Sequence, residues 1–432
     1  MAKKTTSLKT RLWAWALYDF ANSPFTTTIT TVVFNVYFAQ VVVKGSAPVK
    51  FLGATLYGDT IWAMLIATAT LLAGITSPFL GAIADIIKSK KTLMLGFAFI
   101  GSLATSALVI SKPGTLLLSS ILFVIASYSF SSSLAFYNAF LNDLSDDSNI
   151  ASISGFGWAL GYIGGGLCLA LNLAMIQKPM FFGITTDNHF NVRLTFFVVG
   201  IWWFVFTMPF LFLVNSEQPI LTKRNMKAIF TQAFLKVLDT LKTARNLRKN
   251  QFRYLISYIL YNDGIETVIV MSSLFAAQVL FFKPDEIIMC FLMIQFVAFF
   301  GALIFGKIGD RAGNKKTLII TLCIWIAILF WALFMTQKAE FWAAGAVIAM
   351  VLGGSQALSR SLFGKIIPKG QEAQFYGFLT LSGKISATLG PLAYAVSRQL
   401  TGSPRIAIFS MLLFFILGLL LLSGVKEDES LC

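Results

Sequence analysis

Twelve apolar segments, each long enough to cross a lipid bilayer, dominate the sequence. A membrane-spanning helix needs about 20 mostly apolar residues, and 57% of the 432 residues are hydrophobic while only 12% are charged. The sequence therefore predicts an all-α polytopic membrane protein, and a soluble enzyme or a nucleic-acid binder fits this composition poorly. The segments lie near residues 12–40, 56–86, 92–110, 115–141, 150–176, 193–214, 253–282, 286–308, 317–335, 340–362, 372–399 and 404–424.

The distribution of basic residues predicts how these segments are oriented. When the N-terminus is placed on the inner side, the inner segments carry 24 Lys and Arg residues and the outer segments carry nine. Basic residues concentrate in the cytoplasmic loops of membrane proteins. The pattern therefore predicts two cytoplasmic termini, in the plasma (inner) membrane if the chain is bacterial. The net charge of +15 is then mostly an orientation signal.

An internal duplication relates the two halves of the chain. Gly81–Leu93 reads GAIADIIKSKKTL and Gly306–Leu318 reads GKIGDRAGNKKTL. These repeats predict two six-helix halves, 1–214 and 253–432, joined by a basic linker, 215–252. A weaker echo links two further segments, Gly155-Phe156 with Gly161 and Gly377-Phe378 with Gly383.

Five further motifs extend over nearly the whole chain. They are LYDFANSPF (Leu17–Phe25), GFGWALGYIGGG (Gly155–Gly166), LYNDGIETVI (Leu260–Ile269), GGSQALSRSLF (Gly353–Phe363) and GFLTLSGKISATLGP (Gly377–Pro391). With the duplicated loops, they resemble the major facilitator superfamily, and more narrowly its vacuole-effluxer-like branch, also called the unknown major facilitator family. The resemblance implies the twelve-helix major facilitator fold and transport by alternating access. Fungal members of this branch are taken to export amino acids from the vacuole.

The loop after the fourth span departs from this family pattern. Family members tend to carry basic residues there, whereas this chain has Asp143, Asp146 and Asp147.

The duplicated loops supply the predicted gating residues. In the superfamily, the Asp of this loop contacts the inner end of a neighbouring helix and helps to hold the inner side closed. The resemblance therefore implies gating by Asp85 and Asp310, and a carboxylate at a helix N-terminus is favourably placed for such a contact. The accompanying bases either take part in gating or only fix the topology; they are Lys90, Lys91, Arg311, Lys315 and Lys316.

Four charged side chains lie well inside predicted spans and are the best candidates for a site. A charge at membrane depth costs roughly 2.5–3.5 kcal/mol, so such residues are functional candidates. They are Asp19, Asp263, Glu266 and Lys384. Both charge signs suit a zwitterionic solute, and a carboxylate that takes up a proton could couple transport to a proton gradient. The alternative is a structural ion pair between Lys384 and Asp263 or Glu266.

Polar neighbours are consistent with a hydrated cavity. The candidates for substrate binding or proton coupling include Asn22, Tyr261, Asn262 and Gln356. Pro24 interrupts the first span and frees a backbone carbonyl for the cavity. We expect Arg360 toward the inner end of its span, where pairing or topology explains it as well as substrate does.

The linker contains an amphipathic pattern. Apolar residues recur at helical spacing at Met226, Phe230, Phe234, Val237 and Leu241, among eight Lys and Arg residues between 223 and 249. A helix of this kind is predicted to lie on the inner headgroups and to tether the halves.

The sequence therefore predicts a secondary active or facilitative transporter of a small polar solute, and the resemblance implies amino acids as that solute. We expect a monomer with no enzymatic activity, cofactor, metal or nucleic-acid partner. Proton coupling stays open. The alternatives are an exporter of sugars, nucleosides or drugs, and a non-transporting sensor or lipid translocator of the same fold.

Overall fold

The fold was obtained as a computed structural model. It describes residues 7–43, 49–214, 226–244 and 249–427. The helices are α1 (Leu8–Pro24), α2 (Phe34–Tyr37), α3 (Gly58–Ile87), α4 (Lys90–Ala107), α5 (Leu116–Leu144), α6 (Ile150–Gln177), α7 (Phe190–Leu213), α8 (Met226–Ala244), α9 (Lys249–Val279), α10 (Pro284–Ala312), α11 (Asn314–Phe334), α12 (Lys338–Ile366), α13 (Glu372–Thr401), α14 (Pro404–Phe409) and α15 (Leu412–Ser423).

Ten helical segments in the described ranges are long and apolar enough to cross a membrane. The predicted seventh and eleventh spans are also helices, α9 and α13, of 31 and 30 residues. Their polar and charged residues lower their mean hydropathy, which is why they stand apart from the other ten. The prediction of an α-helical, multi-span membrane protein is confirmed.

A small exception to the helical architecture is a hairpin between the first two spans. Two short strands, β1 (Val49–Phe51) and β2 (Ala54–Leu56), pair antiparallel. Leu52 and Gly53 form its turn, and both have a positive φ.

The first span changes its winding at Pro24. The proline cannot donate the usual helical hydrogen bond to the carbonyl four residues earlier, and the chain continues in wide π-helical turns at Phe25–Val32 and Phe38–Val42. We expected the freed carbonyl to serve a cavity. Instead, the carbonyl of Phe20 accepts a hydrogen bond from the indole of Trp202 at 3.1 Å. A tryptophan on α7 therefore satisfies the group that the proline frees.

The chain divides into two compact units. The first contains Met1–Thr76, Lys88–Tyr137 and Leu160–Pro219, and the second contains Ser77–Ile87, Asn138–Ala159 and Ile220–Cys432. This division follows contacts rather than the duplication, so the predicted boundaries of the two halves and the linker stay a prediction.

Two helix pairs in the second unit pack through glycines. A Cβ atom at Gly81 of α3 would lie 2.3 Å from the carbonyl oxygen of Ala373 on α13, and one at Gly155 of α6 would lie 2.3 Å from that of Ala302 on α10. No side chain fits at such distances. Glycine is therefore required for the close approach of α3 to α13 and of α6 to α10.

The linker region contributes α8 to the second unit. Its buried face consists of Ile229, Ala233 and Val237. The predicted apolar face is thus rotated by about one residue, because Phe230 and Phe234 are 56% and 50% exposed. Met226 and Leu241, which complete the predicted face, have side chains outside the described part of the structure.

Candidate functional site

A polar cavity lies within the second unit, among α5, α6, α9, α12 and α13. It offers about 130 Å³ to the centre of a water molecule, whereas one bound water needs only about 10–15 Å³. It therefore has room for a small solute. Its lining residues are Asn138, Trp158, Tyr258, Asn262, Ile265, Glu266, Ser355, Gln356, Ser359, Arg360 and Leu379.

Arg360 provides the positive charge in this cavity. Its guanidinium donates to the hydroxyl of Ser154 at 2.9 Å, to the carbonyl of Ser154 at 2.6 Å and to the amide oxygen of Asn138 at 3.2 Å. It also lies over the ring of Trp158, 5.4 Å from the centroid. Arg360 is only 4% exposed, so its partners fix the charge at a defined place in a region of low dielectric, where it acts strongly.

Glu266 provides the negative charge. It lies on α9 and lines the same cavity as Arg360 and Gln356. Lys384 on α13 interacts electrostatically with Glu266. Among the described side chains, however, no hydrogen bond or ion pair joins Lys384 to Glu266 or to Asp263, and Lys384 is not among the described residues that line the cavity. The two groups influence each other without the direct pairing that a structural salt bridge requires.

Asp263 faces the backbone of α13 instead of the cavity. It is fully buried, and its Oδ2 accepts a hydrogen bond from the backbone N–H of Gly390 at 2.7 Å. Its other oxygen, Oδ1, has no hydrogen-bond partner in the described part of the chain. The adjacent Asn262 does reach the cavity, and its amide donates to the hydroxyl of Ser386 at 3.0 Å. Asp263 and Glu266 are one helical turn apart, but only Glu266 is among the described residues that line the cavity.

Tyr261 lies behind the cavity wall. Its hydroxyl is 2.7 Å from that of Ser359 and 3.2 Å from that of Tyr254, and Tyr254 donates to the Ser359 carbonyl at 2.6 Å. Ser359 lines the cavity. Tyr261 thus positions a lining residue and does not itself belong to the lining described here.

Asp19 and Asn22 belong to the first unit. Asp19 is 6% exposed, and its Oδ2 accepts a hydrogen bond from the hydroxyl of Tyr137 at 2.7 Å. The ring of Tyr137 stacks on Trp15 with centroids 4.7 Å apart. Asn22 donates to the carbonyl of Tyr18 at 2.7 Å, so it braces α1 just before Pro24. This part of α1 presents a buried carboxylate with a fixed hydroxyl donor.

The two predicted gating carboxylates make matching contacts within the second unit. Asp85 at the end of α3 accepts hydrogen bonds from the backbone N–H groups of Ala373 and Gln374, at 3.3 and 3.0 Å, in the first turn of α13. Asp310 on α10 accepts from Ala151 and Ser152 in the first turn of α6, both at 2.9 Å. In each case a carboxylate satisfies free amides at the positive end of a helix dipole.

The basic residues of the duplicated loops make different contacts. Within the first unit, Lys91 donates to the carbonyls of Leu211 and Val214 at 2.8 and 2.6 Å, at the C-terminal end of α7. Within the second unit, Lys315 donates to the carbonyl of Ser423 at 2.7 Å, at the end of α15. Both ammonium groups therefore stabilise the negative end of a helix.

The positions of the three remaining bases do not distinguish a role in gating from a role in topology. Lys90 is the first residue of α4, and Arg311 and Lys316 are exposed at the end of α10 and the start of α11. Exposed bases in an inner loop are equally consistent with a role in topology.

Sequence reasoning missed Glu427. Its carboxylate accepts from the backbone N–H groups of Asn314 and Lys315 at 2.9 and 3.1 Å, and it pairs with Lys365 at 3.2 Å. It therefore caps the N-terminus of α11. Only the charge of the residue was visible in the sequence, because the contact spans 113 positions.

The acidic loop after α5 has a local structural explanation. Ser148 donates to Asp146 through its hydroxyl and its backbone N–H, and these hydrogen bonds hold the pKa of Asp146 below its ordinary value. The turn precedes α6, whose first amides contact Asp310. Asp146 thus shapes the approach to α6.

Sequence reasoning also underestimated Arg360. Its expected position toward the inner end of its span left pairing, topology and substrate binding equally open, whereas the structure places Arg360 in the cavity lining. One signal was available: Arg360 follows Gln356 by four residues, so both lie on one face of α12. Tyr258 and Ser154 were missed because their roles depend on long-range packing.

Comparison with known proteins decides the family. The sequence profile of the vacuole effluxer Atg22-like family matches residues 7–431. The chain belongs to this family. It is 31% identical to the uncharacterized MFS-type transporter YxiO of Bacillus subtilis, over 96% of this chain and 95% of that protein. It is 25% identical to autophagy-related protein 22-1 of Penicillium rubens, over 91% of this chain and 80% of that protein.

Solved structures support the fold. The human organic anion transporter MFSD10 aligns with a TM-score of 0.71 at 14% identity, covering 96% of this chain and 99% of that one. The proton:xylose symporter XylE also aligns with a TM-score of 0.71, at 12% identity, covering 97% and 96%. At this identity the likeness concerns the fold alone. With the family match, it establishes a multi-span membrane transporter of the major facilitator type.

Proposed function

We propose that this transporter moves amino acids by alternating access. The observation that carries the proposal is the cavity of the second unit, in which a buried guanidinium and a carboxylate, Arg360 and Glu266, line one space. An α-amino acid carries one group of each charge. The carboxylate of the solute would accept hydrogen bonds from Arg360, and its ammonium would donate to Glu266.

The polar lining suits the rest of a small amino acid. Asn262, Gln356 and Ser355 supply amide and hydroxyl groups, and polar groups at a few defined places give a site its specificity. Lys384 is not among the described residues that line the cavity. It would therefore act on the solute through its electrostatic interaction with Glu266 rather than by direct contact.

The contacts of Asp85 and Asp310 would form the inner gate. They join helix ends through hydrogen bonds that involve backbone amides and one carboxylate each. Such contacts need little rearrangement to break and re-form. We propose that they hold one state of the transport cycle and separate when the inner side opens.

Proton coupling is the second part of the proposal. Asp19 and Asp263 are buried carboxylates inside spans, held by the Tyr137 hydroxyl and the Gly390 amide respectively. A buried carboxylate is costly when charged, so gain and loss of a proton would change its contacts. Uptake driven by an inward pH gradient, and its loss in Asp263→Asn at normal expression, would support this part. Uptake of equal rate with and without the gradient would contradict it.

The membrane placement follows from the charges of the loops. We propose a monomer with both termini cytoplasmic, in the inner membrane if the chain is bacterial, because the 24 inner and nine outer basic residues fit that orientation. The partners would be the solute and the bilayer, without nucleic acid.

The experiment is solute uptake by the purified protein in proteoliposomes. The panel contains amino acids, sugars and nucleosides, and the variants are Glu266→Gln and Arg360→Gln. Glu286→Gln is the matched control, because Glu286 pairs with Lys338 at 2.6 Å in a partly exposed position away from the cavity lining. We expect uptake of amino acids that both cavity variants lose and the control retains. Uptake of sugars or nucleosides alone would favour the alternative exporter, and equal uptake by all variants would remove the site.

A further inference from the structure

Helix α8 is docked beside one of the two gating contacts. Its buried face, Ile229, Ala233 and Val237, packs in one cluster with Ala82 and Ile83 of α3 and with Phe378 of α13. Phe234 of α8 also stacks on Phe79 of α3, with centroids 5.8 Å apart and planes 11° apart. A single helix of the linker therefore contacts both helices that Asp85 joins.

Gln374 connects α8 directly to the gating contact. Its backbone N–H donates to Asp85 at 3.0 Å, and its side-chain amide donates to the hydroxyl of Thr240 on α8 at 2.9 Å. Gln374 is fully buried and Thr240 is 5% exposed. Because these polar groups are removed from water, loss of either partner leaves a buried donor or acceptor unsatisfied. The docking of α8 and the Asp85 contact are therefore expected to stabilise each other.

Apolar side chains are also exposed on α8. Phe230 and Leu235 are 56% and 58% exposed, and Phe252 at the start of α9 is 49% exposed. Eight Lys and Arg residues lie between positions 223 and 249, against a single acidic residue, Asp239. Aromatic and aliphatic side chains among many bases are typical of a helix that binds the interface of a bilayer with anionic lipids.

We propose that α8 is a latch of the inner gate that anionic lipid headgroups hold in place. The exposed face rests on the anionic membrane surface, and the docked face fastens α3 to α13 beside Asp85. Membrane binding keeps α8 close to its docking groove and so raises the effective concentration of the docked face. Anionic lipid thus favours the state in which Asp85 caps α13.

The proposal rests on the gating part of the proposed function but not on the identity of the solute. The test therefore measures the contact itself, so that a failure of amino-acid transport and a failure of the latch are distinguishable. The amides of Ala373 and Gln374 report the contact, since both donate to Asp85. Hydrogen exchange of the segment 370–378 is followed in nanodiscs of neutral phosphatidylcholine, with or without anionic phosphatidylglycerol.

We expect exchange of this segment to be several-fold slower in the anionic nanodiscs for the unaltered protein. Ala233→Asp places a charge on the docked face, since Ala233 is 1% exposed, and should abolish this lipid response. Thr231→Asp adds the same charge on the exposed side of α8 and should retain most of it. Equal exchange of the unaltered protein in the two lipids would overturn the proposal, as would an equal lipid response in Ala233→Asp.

A milder variant tests the same link in case Ala233→Asp fails to fold. Thr240→Val removes only the hydroxyl that Gln374 contacts and keeps the size of the side chain. We expect faster exchange at 370–378 than in the unaltered protein and a reduced lipid response. If Thr240→Val exchanged at the unaltered rate in both lipids, the link between α8 and the gate would be refuted.

Discussion

The two duplicated loops make the same contact in different surroundings. Asp85 and Asp310 each accept two backbone N–H groups from the first turn of a helix, α13 and α6 respectively. Near Asp85 the contact is reinforced by α8, through the hydrogen bond between Gln374 and Thr240. Both helix pairs approach through glycines: a Cβ at Gly306 would lie 2.8 Å from the carbonyl oxygen of Ala151, and one at Gly81 would lie 2.3 Å from that of Ala373.

The difference between the two contacts indicates which part of the duplication is chemically constrained. Both copies keep the carboxylate and the close helix pair, which the capped amides require. The reinforcement differs because the described linker helix, α8, packs beside the Asp85 copy. Substitutions at the carboxylates, at the glycines and at the helix caps can show whether the two contacts are equivalent.

The largest effect is expected for Asp310→Asn. The Asn side chain keeps one acceptor oxygen but loses the charge and the second acceptor. A charged hydrogen bond contributes about 1.5–3 kcal/mol, so the contact between α10 and α6 should weaken by about that amount. Asp85→Asn should have a smaller effect, because the contacts of α8 still join α3 to α13. Both variants should reach the membrane normally but transport more slowly.

The measurement for this pair is solute uptake together with hydrogen exchange of the segments 148–155 and 370–378. Faster exchange should appear at 148–155 in Asp310→Asn and at 370–378 in Asp85→Asn. An equal or larger effect of Asp85→Asn would show that α8 does not reinforce its side. Full transport by both variants at normal expression would end the gating assignment.

The next effect concerns the glycines of the close helix pairs. In Gly81→Ala and Gly155→Ala the new Cβ would meet a carbonyl oxygen at 2.3 Å, and overpacking of this kind costs about 1–3 kcal/mol. Gly96→Ala is the control, since nothing lies within 4 Å of a Cβ there. Thermal unfolding in detergent should show a lower midpoint for the first two variants only. Comparable midpoints for Gly81→Ala and Gly96→Ala would mean that α3 and α13 can separate without loss.

A smaller effect is expected at the cap of α11. Glu427→Gln would remove a charge that interacts with two N-terminal amides and with Lys365, a loss of about 1 kcal/mol. Glu286→Gln is the control, because its pair with Lys338 is partly exposed and such pairs contribute little. The unfolding midpoints of the two variants should differ, with Glu427→Gln the lower. The reverse order would contradict the assigned cap.

The smallest effect concerns Asp146 and pH. Hydrogen bonds from Ser148 lower the pKa of Asp146, so they stabilise the fold above the ordinary range of a carboxyl group and are lost as the pH falls through the lowered value. Ser148→Ala should therefore unfold slightly more readily near neutral pH and like the unaltered protein in acid. Unfolding curves recorded across pH check this. A difference that grew in acid would have the wrong sign.

Much of the fold could be predicted from the sequence because its causes are local. Apolar length predicts spans, and the repeat places Asp85 and Asp310 at helix ends. Their partners are distant in the sequence, since Ala373 lies 288 positions from Asp85 and Ala151 lies 159 positions from Asp310. The sequence contains no signal for those contacts. The resemblance to the major facilitator superfamily implied that each Asp contacts the inner end of a neighbouring helix, which the repeat alone does not show.

The site was less predictable for the same physical reason. Depth in a span identified Glu266 and Lys384 as candidates, but depth does not tell which way a side chain faces. Asp263 accepts a hydrogen bond from the backbone N–H of Gly390, and Arg360 lines the cavity. The carbonyl freed by Pro24 was taken by Trp202, a partner 182 positions away from Phe20.

Ligand-induced thermal stabilisation tests whether Arg360 and Glu266 form an amino-acid site, since a ligand that binds the folded state raises its stability. The ligands are an amino acid, its methyl ester, which lacks the carboxylate, and its N-acetyl derivative, which lacks the ammonium. We expect only the intact amino acid to raise the unfolding midpoint of the unaltered protein. Arg360→Gln and Glu266→Gln should each abolish this shift of the midpoint. Equal stabilisation by all three ligands, or an undiminished shift in both variants, would contradict it.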